Sequence, residues 1–184
     1  MTASTTLRDL LDELDRAHAY TNDLQSGLTP DQMVWRPNAE SSAIGWHLGH
    51  QAVVAHFMLR NLVAAEPSID VDIDRLMDSA TPERQRCDLP SLERIRDLRT
   101  AVAERIHFQI GEIDRGAVGA PNQLQVIAST LLVVIVNHEY QHSKWIAEVR
   151  TDDFGLDAPP TPCSPRLTVI DGYTVLTAPP ASGV

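Results

Sequence analysis

Apolar residues recur every three or four positions over four long stretches of this chain, and each stretch predicts an amphipathic helix. The first covers residues 5–25, with Leu7, Leu10, Leu14, Ala17, Thr21 and Leu24 on a seam that runs on to Leu28, and Gly27 ends it. A single capped turn follows over 28–33, with Pro30 at its first helical position. Trp35-Arg36-Pro37-Asn38 reads as a loop. The second helix covers 42–65, with Ser41 or Ser42 as its cap. Trp46, His50, Val53 and Phe57 form one stripe on it, and Ala43, His47, His50, Val54 and Phe57 form an overlapping one, so His50 is the histidine turned inward. The third covers 91–115, buries Leu92, Ile95, Leu98, Val102, Ile106, Ile110 and Ile113, and closes at Gly116 and Gly119. The fourth covers 121–150 on a seam of Ala128, Leu131, Ile135, His138, His142, Trp145 and Val149. Its β-branched run from Val133 to Val136 fits a buried strand as well, but the length of the surrounding pattern favours helix.

Two segments break the pattern. Residues 66–90 form a long acidic connection with Asp70, Asp72, Asp74 and Asp78, in which 69–73 alternates but is too isolated for a strand. Such a segment is more often a solvated loop than a lid. The stretch 157–165 holds four prolines, and 167–177 reads as a β-hairpin with Asp171-Gly172 in a type I′ turn. A lone hairpin is marginal in water, so it is expected to pack on the bundle or on a second subunit. Residues 179–184 read as disordered. The expected architecture is all-α, a four-helix bundle with long crossover connections over 1–150, followed by a Pro-rich tail with a small hairpin over 151–184.

Composition narrows the function classes. A formal charge of −10 argues against nonspecific nucleic-acid binding and against an anionic membrane surface. The longest strongly apolar run, Leu131 to Val136, is too short to span a bilayer, and the N-terminus has no basic region before an apolar run. The expected location is cytoplasmic. Cys87 and Cys163 lack the spacing of a zinc ribbon or a redox pair.

The candidate chemistry lies in the histidines. His138 and His142 are one helical turn apart, so both imidazoles project from one face. That face is apolar, and burying two unpartnered imidazoles is costly. A metal ion removes the cost, with His50 as third ligand from the second helix. Three ligands leave coordination positions open, which marks a reactive rather than a structural site. Histidine-only ligation suits zinc, nickel or ferrous iron, and an open position lowers the pKa of a water or a thiol. Glu139, rotated by about 100° from His138, is the candidate catalytic base, with pairing to another helix the more ordinary role. His-Glu-Tyr-Gln-His matches a zinc-protease pentapeptide, but no histidine follows His142 to complete that site. His47, one turn before His50, is ambiguous between supporting a ligand from behind, lining the site and plain helix surface. Trp46 and Trp145 are expected in the core, Arg36 in solvent, and His18, His56 and His107 on helix surfaces.

Three segments, in order, resemble the DinB/YfiT-like metalloprotein superfamily: Leu28-Thr-Pro-Asp-Gln-Met-Val-Trp-Arg-Pro37, Ser42-Ala-Ile-Gly-Trp-His-Leu-Gly-His50 and His138-Glu-Tyr-Gln-His142. The last two also resemble the front domain of iron-dependent sulfoxide synthases of ergothioneine biosynthesis, whose large second domain 184 residues cannot hold. The resemblance covers about residues 5–150. It implies a four-helix bundle, a metal held by His50, His138 and His142, and dimers as a common assembly. The family it points to includes thiol-dependent S-transferases, a mycothiol-dependent isomerase and metal-dependent hydrolases. Many members carry a glycine-glutamine pair shortly after the last ligand, where this chain has Ser143-Lys144-Trp145. The expectation is a metal-dependent transferase or hydrolase acting on a small electrophilic molecule, with either a low-molecular-weight thiol cosubstrate or a water as the nucleophile. The alternative is a non-catalytic metal-binding or dimerising helical module.

Overall fold

The computed structural model describes residues 5–63, 66–86 and 88–177; the expectations for 179–184 and for Cys87 lie outside them. The described chain builds α1 (Leu7–Gln25), α2 (Pro30–Val34), α3 (Ile44–Leu62), α4 (Val71–Leu76), α5 (Leu92–Asp114) and α6 (Pro121–Glu148), then β1 (Leu167–Ile170) and β2 (Tyr173–Leu176).

Local chemistry explains most of the helix starts. Thr6 and Asp9 form a capping box on α1, with Asp9 N–H donating to Thr6 Oγ1 at 3.1 Å and Thr6 N–H to Asp9 Oδ2 at 2.9 Å. Thr29 and Gln32 do the same on α2, where Pro30 sits at the first position. Ser91 caps α5. The expected serine cap on α3 is absent: Ala43 holds that position without a side-chain bond. Both serines answer to arginines instead, Ser42 Oγ accepting from Arg86 Nη1 at 3.0 Å and the Ser41 carbonyl from Arg36 Nε at 2.6 Å.

The four long helices form an up-down-down-up bundle. α1 and α6 run parallel, since Thr21 meets Glu139 and the Leu24 carbonyl meets Arg150. α3 is antiparallel to α6 and parallel to α5. Around the bundle the order is α1, α6, α3, α5, and α1 and α5 close the ring only weakly. Their shared seam is a cleft of about 800 Å³ lined by His18, Asn22, Arg96, Arg99 and His107 among others.

Parallel α3 and α5 explain the acidic connection. The chain must return over the length of a 19-residue helix, about 28 Å, before α5 begins. The connection is only partly a solvated loop, since a short helix within it is anchored in the core. Its residues 69–73 lead into α4 rather than a strand; Ile73 and Met77 are fully buried, and burying a side chain of that size contributes about 1.5–3 kcal/mol. Asp70 caps α4 through Ile73 N–H at 3.0 Å and pairs with Arg94 at 2.6 Å.

Two helical faces differ from the periodicity. On α3, Phe57 is 63% exposed, while Ala52, Ala55, His56 and Leu59 are buried. On α6 the buried arc includes Leu132, Val136, Glu139, Ser143 and Ile146, leaving Leu131, His138, Trp145 and Val149 half-buried. α6 packs on α1, α3 and α5 at once, so its buried arc is wider than a two-helix seam. The chain then continues in a wider π-type turn, Val149–Asp153.

The tail forms the expected hairpin. Leu167 pairs with Leu176 and Ile170 with Tyr173, around Asp171 (φ 51°) and Gly172 (φ 80°). It packs on α6: Leu176 is buried, and Asn137 takes Leu176 N–H at 2.6 Å and gives Nδ2–H to the Leu176 carbonyl at 3.1 Å.

Candidate metal centre

The antiparallel pairing of α3 and α6 brings His50, His138 and His142 together, with one ligand nitrogen from each lying within 4.8 Å of the others. His50 comes from the first turns of α3, whose Gly49 lies against Met77. A Cβ at Gly49 would sit 2.9 Å from Met77 Sδ. The close approach sets the Met77 carbonyl 2.6 Å from His50 Nδ1. A carbonyl only accepts, so His50 carries its proton on Nδ1 and keeps a lone pair on Nε2.

His142 Nε2 faces His138 Nε2 at 3.1 Å. Bonds of about 2.0–2.1 Å to a tetrahedral ion place ligand nitrogens about 3.3 Å apart, so this pair already has the required spacing. The rings are walled by aromatics. Trp46 stacks on His50 at 4.4 Å and 14°, with the Arg86 guanidinium 3.9 Å above the indole. Trp145 meets His142 edge-on at 4.9 Å. Trp46 and Trp145 therefore line the site as well as pack, and the buried Trp46 Nε1 has no hydrogen-bond partner among the described residues.

Burial keeps these imidazoles neutral. Desolvation, followed by neighbouring imidazoles, pushes His138 down to about 4 and His142 still lower; desolvation also lowers His50. Neutral imidazole is the form that ligates a metal. The donor set, its spacing and the free lone pair on His50 all fit a borderline divalent ion.

His47, ambiguous in the sequence, belongs here: it is buried, and its Nδ1 lies 2.8 Å from His142 Nδ1. Desolvation, with charge repulsion from His50 and Arg86, lowers it to about 3. The i, i+3 spacing of His47 and His50 was the available signal. Met77 and Arg86 gave none, because one acts through a backbone carbonyl and the other stacks across the crossover.

Glu139 lies outside the three-histidine group. Its carboxylate accepts from Arg99 Nη2 at 2.6 Å and Thr21 Oγ1 at 2.7 Å, with His18 Nε2 4.0 Å away, so it faces α1 and α5. Burial pushes its pKa up, but the Arg99 and His18 charges and the hydrogen bonds outweigh that and hold it below the usual range. Gln51 closes this network, donating to the Glu139 carbonyl at 3.0 Å and accepting from Arg99 at 3.0 Å.

Other histidines fall elsewhere. His18 is half-buried beside Glu139, and His107 pairs with Asp15 at 2.7 Å. His56, expected on the surface, is 1% exposed with both ring nitrogens unpartnered among the described residues. Arg36, expected in solvent, binds backbone carbonyls at Ser41, Ala39 and Glu83. No described helix is long and apolar enough to cross a membrane.

Comparison with curated proteins returns no relative for this chain. The sequence profile of the DinB superfamily matches residues 13–146, well over half of the chain, and the matched span contains His50, His138 and His142. On that match, the chain belongs to the DinB superfamily.

Proposed function

We propose that this chain is a metal-dependent enzyme of the thiol-transferase or hydrolase type, acting on a small electrophilic molecule at a divalent ion held by His50, His138 and His142. The observation that supports it is the convergence of three neutral imidazoles, one with its ligating nitrogen assigned by the Met77 carbonyl. Zinc, nickel and ferrous iron all suit this donor set. When bound, the ion supplies an open position at which a water or a low-molecular-weight thiol loses its proton near neutral pH. We place the chemistry in the cytoplasm, where such thiols stay reduced.

The chain's own residues orient and enclose. Met77 and Trp46 hold the His50 ring in place and direction. Trp46 and Trp145 exclude water from two sides, which strengthens electrostatic interactions inside. We assign Glu139 to anchoring α6 next to His138; service as a base would require its release from Arg99 and Thr21.

One observation favours a second reading. Phe57, Val126, Ile127 and Val134 are exposed along the α3/α6 groove, which suits a dimerising metal-binding module without catalysis. Two measurements decide. Metal content is compared between wild type and His142→Ala; equal, negligible content sinks the metal reading. Thiols are then screened with electrophiles and esters, with and without chelator. Chelator-sensitive turnover supports the enzyme; a metal-loaded dimer inert to every pair supports the module.

A further inference from the structure

We propose that His47 is a positioning residue for the metal ligand His142: it accepts the Nδ1–H of His142 and so holds His142 in the tautomer whose Nε2 faces the ion. The inference rests on the three-histidine metal reading above.

A neutral His142 carries one proton for two nitrogens, and each faces another imidazole. Nε2 lies 3.1 Å from His138 Nε2, and Nδ1 lies 2.8 Å from His47 Nδ1. With the proton on Nε2, His142 donates to His138 and both lone pairs that an ion would take are consumed. With the proton on Nδ1, His142 donates to His47 and its Nε2 is free beside His138. The choice needs an acceptor at residue 47, because an unmet N–H at this buried position costs about 1–3 kcal/mol.

His47 is built to be that acceptor. It is buried, its ring centroid lies 5.6 Å from that of Trp46 and 5.6 Å from that of Trp145, and its Nδ1, a lone-pair position in one neutral tautomer, faces His142 Nδ1. It binds the nitrogen of His142 opposite the one facing His138, so it stands behind the ligand and outside the coordination shell. The arrangement parallels His50, whose far nitrogen is held by the Met77 carbonyl.

The test uses Co(II) as probe in the full chain, followed by its visible absorption and by chelator competition, with His47→Leu, His47→Gln and His142→Ala. Glutamine still presents an accepting oxygen; leucine does not. His47→Leu should weaken Co(II) binding about 10–100-fold without changing the absorption envelope, and His47→Gln should recover most of that loss. Nitrogen-15 NMR of zinc-loaded wild type should show the His142 proton on Nδ1. Far-ultraviolet circular dichroism of the metal-free variants checks folding, and if His47→Leu misfolds, the glutamine variant and the wild-type NMR still decide. Wild-type affinity in His47→Leu while His142→Ala loses the metal overturns this inference alone. So does a His142 proton found on Nε2, or a changed envelope that makes His47 a ligand. Absence of Co(II) binding by wild type overturns the metal reading, and this inference with it.

Discussion

Arg99 Nη2 donates to Glu139 Oε1 across 2.6 Å, with the two side chains only 9% and 3% exposed. The pair ties α5 to α6 one residue from His138. Removing either partner leaves a buried charge unmatched. Arg99→Met or Glu139→Leu should therefore cost about 3–5 kcal/mol, while the double substitution costs less than the sum. Urea denaturation of the four proteins checks this; additive losses would mean the pair has no coupling.

Gly49→Ala should destabilise by about 1–3 kcal/mol, because its Cβ would sit 2.9 Å from Met77 Sδ and the fully buried Met77 would have to shift within a packed core. The damage should also reach metal binding, since the displaced residue carries the carbonyl that holds His50. Thermal unfolding and Co(II) affinity measure the two effects. Unchanged affinity in a destabilised variant would separate Met77 from the ligand's orientation.

The metal-free protein should be acid-sensitive. Burial lowers His56, His47 (to about 3) and His138 (to about 4) from 6.5. A histidine depressed in the fold stabilises fully above the unfolded value and loses that contribution as pH falls toward the folded value. Stability should hold above pH 6.5 and decline from there toward pH 4. Urea midpoints across that range test the sign; a flat or rising profile toward acid contradicts it.

His56→Leu should raise stability by about 1 kcal/mol or more, because the substitution removes two buried nitrogens that no described residue satisfies. It should also flatten part of the acid decline. A loss of stability in calorimetry would mean His56 has a partner in solution.

Asn137→Ala should free the hairpin. It removes both bonds to the Leu176 backbone and leaves a buried N–H and carbonyl unmet, at a cost of about 1–3 kcal/mol. Limited proteolysis within residues 155–177 should quicken while the bundle stays intact. Resistance equal to wild type would show that packing alone holds the tail.

The bundle and the convergence of the three histidines were legible because periodicity reports which face a residue takes and spacing reports which residues share it. The hairpin was legible through Asp171-Gly172, whose backbone angles few other pairs adopt. Partners across long sequence separations were not. Ser42 has the chemistry of a cap but lies one residue before the cap position of α3, and Arg86 takes its hydroxyl. For Glu139, pairing to another helix was the more ordinary role, but nothing in the sequence named Arg99 and Thr21 as its partners. Phe57 fell on a predicted inner stripe, but the true buried arc of α3 is set by which helices surround it. The acidic connection carries buried Ile73 and Met77 among its aspartates, but the alternating run 69–73 hides a helix of only 6 residues.

During synthesis, all the long helices exist in the nascent chain before the strand that grips Asn137 has been made. The residue next to His138 therefore stays ungripped until Leu176 leaves the ribosome. A chain that stalls after α6 therefore folds its bundle with the Asn137 amide lacking its Leu176 partner.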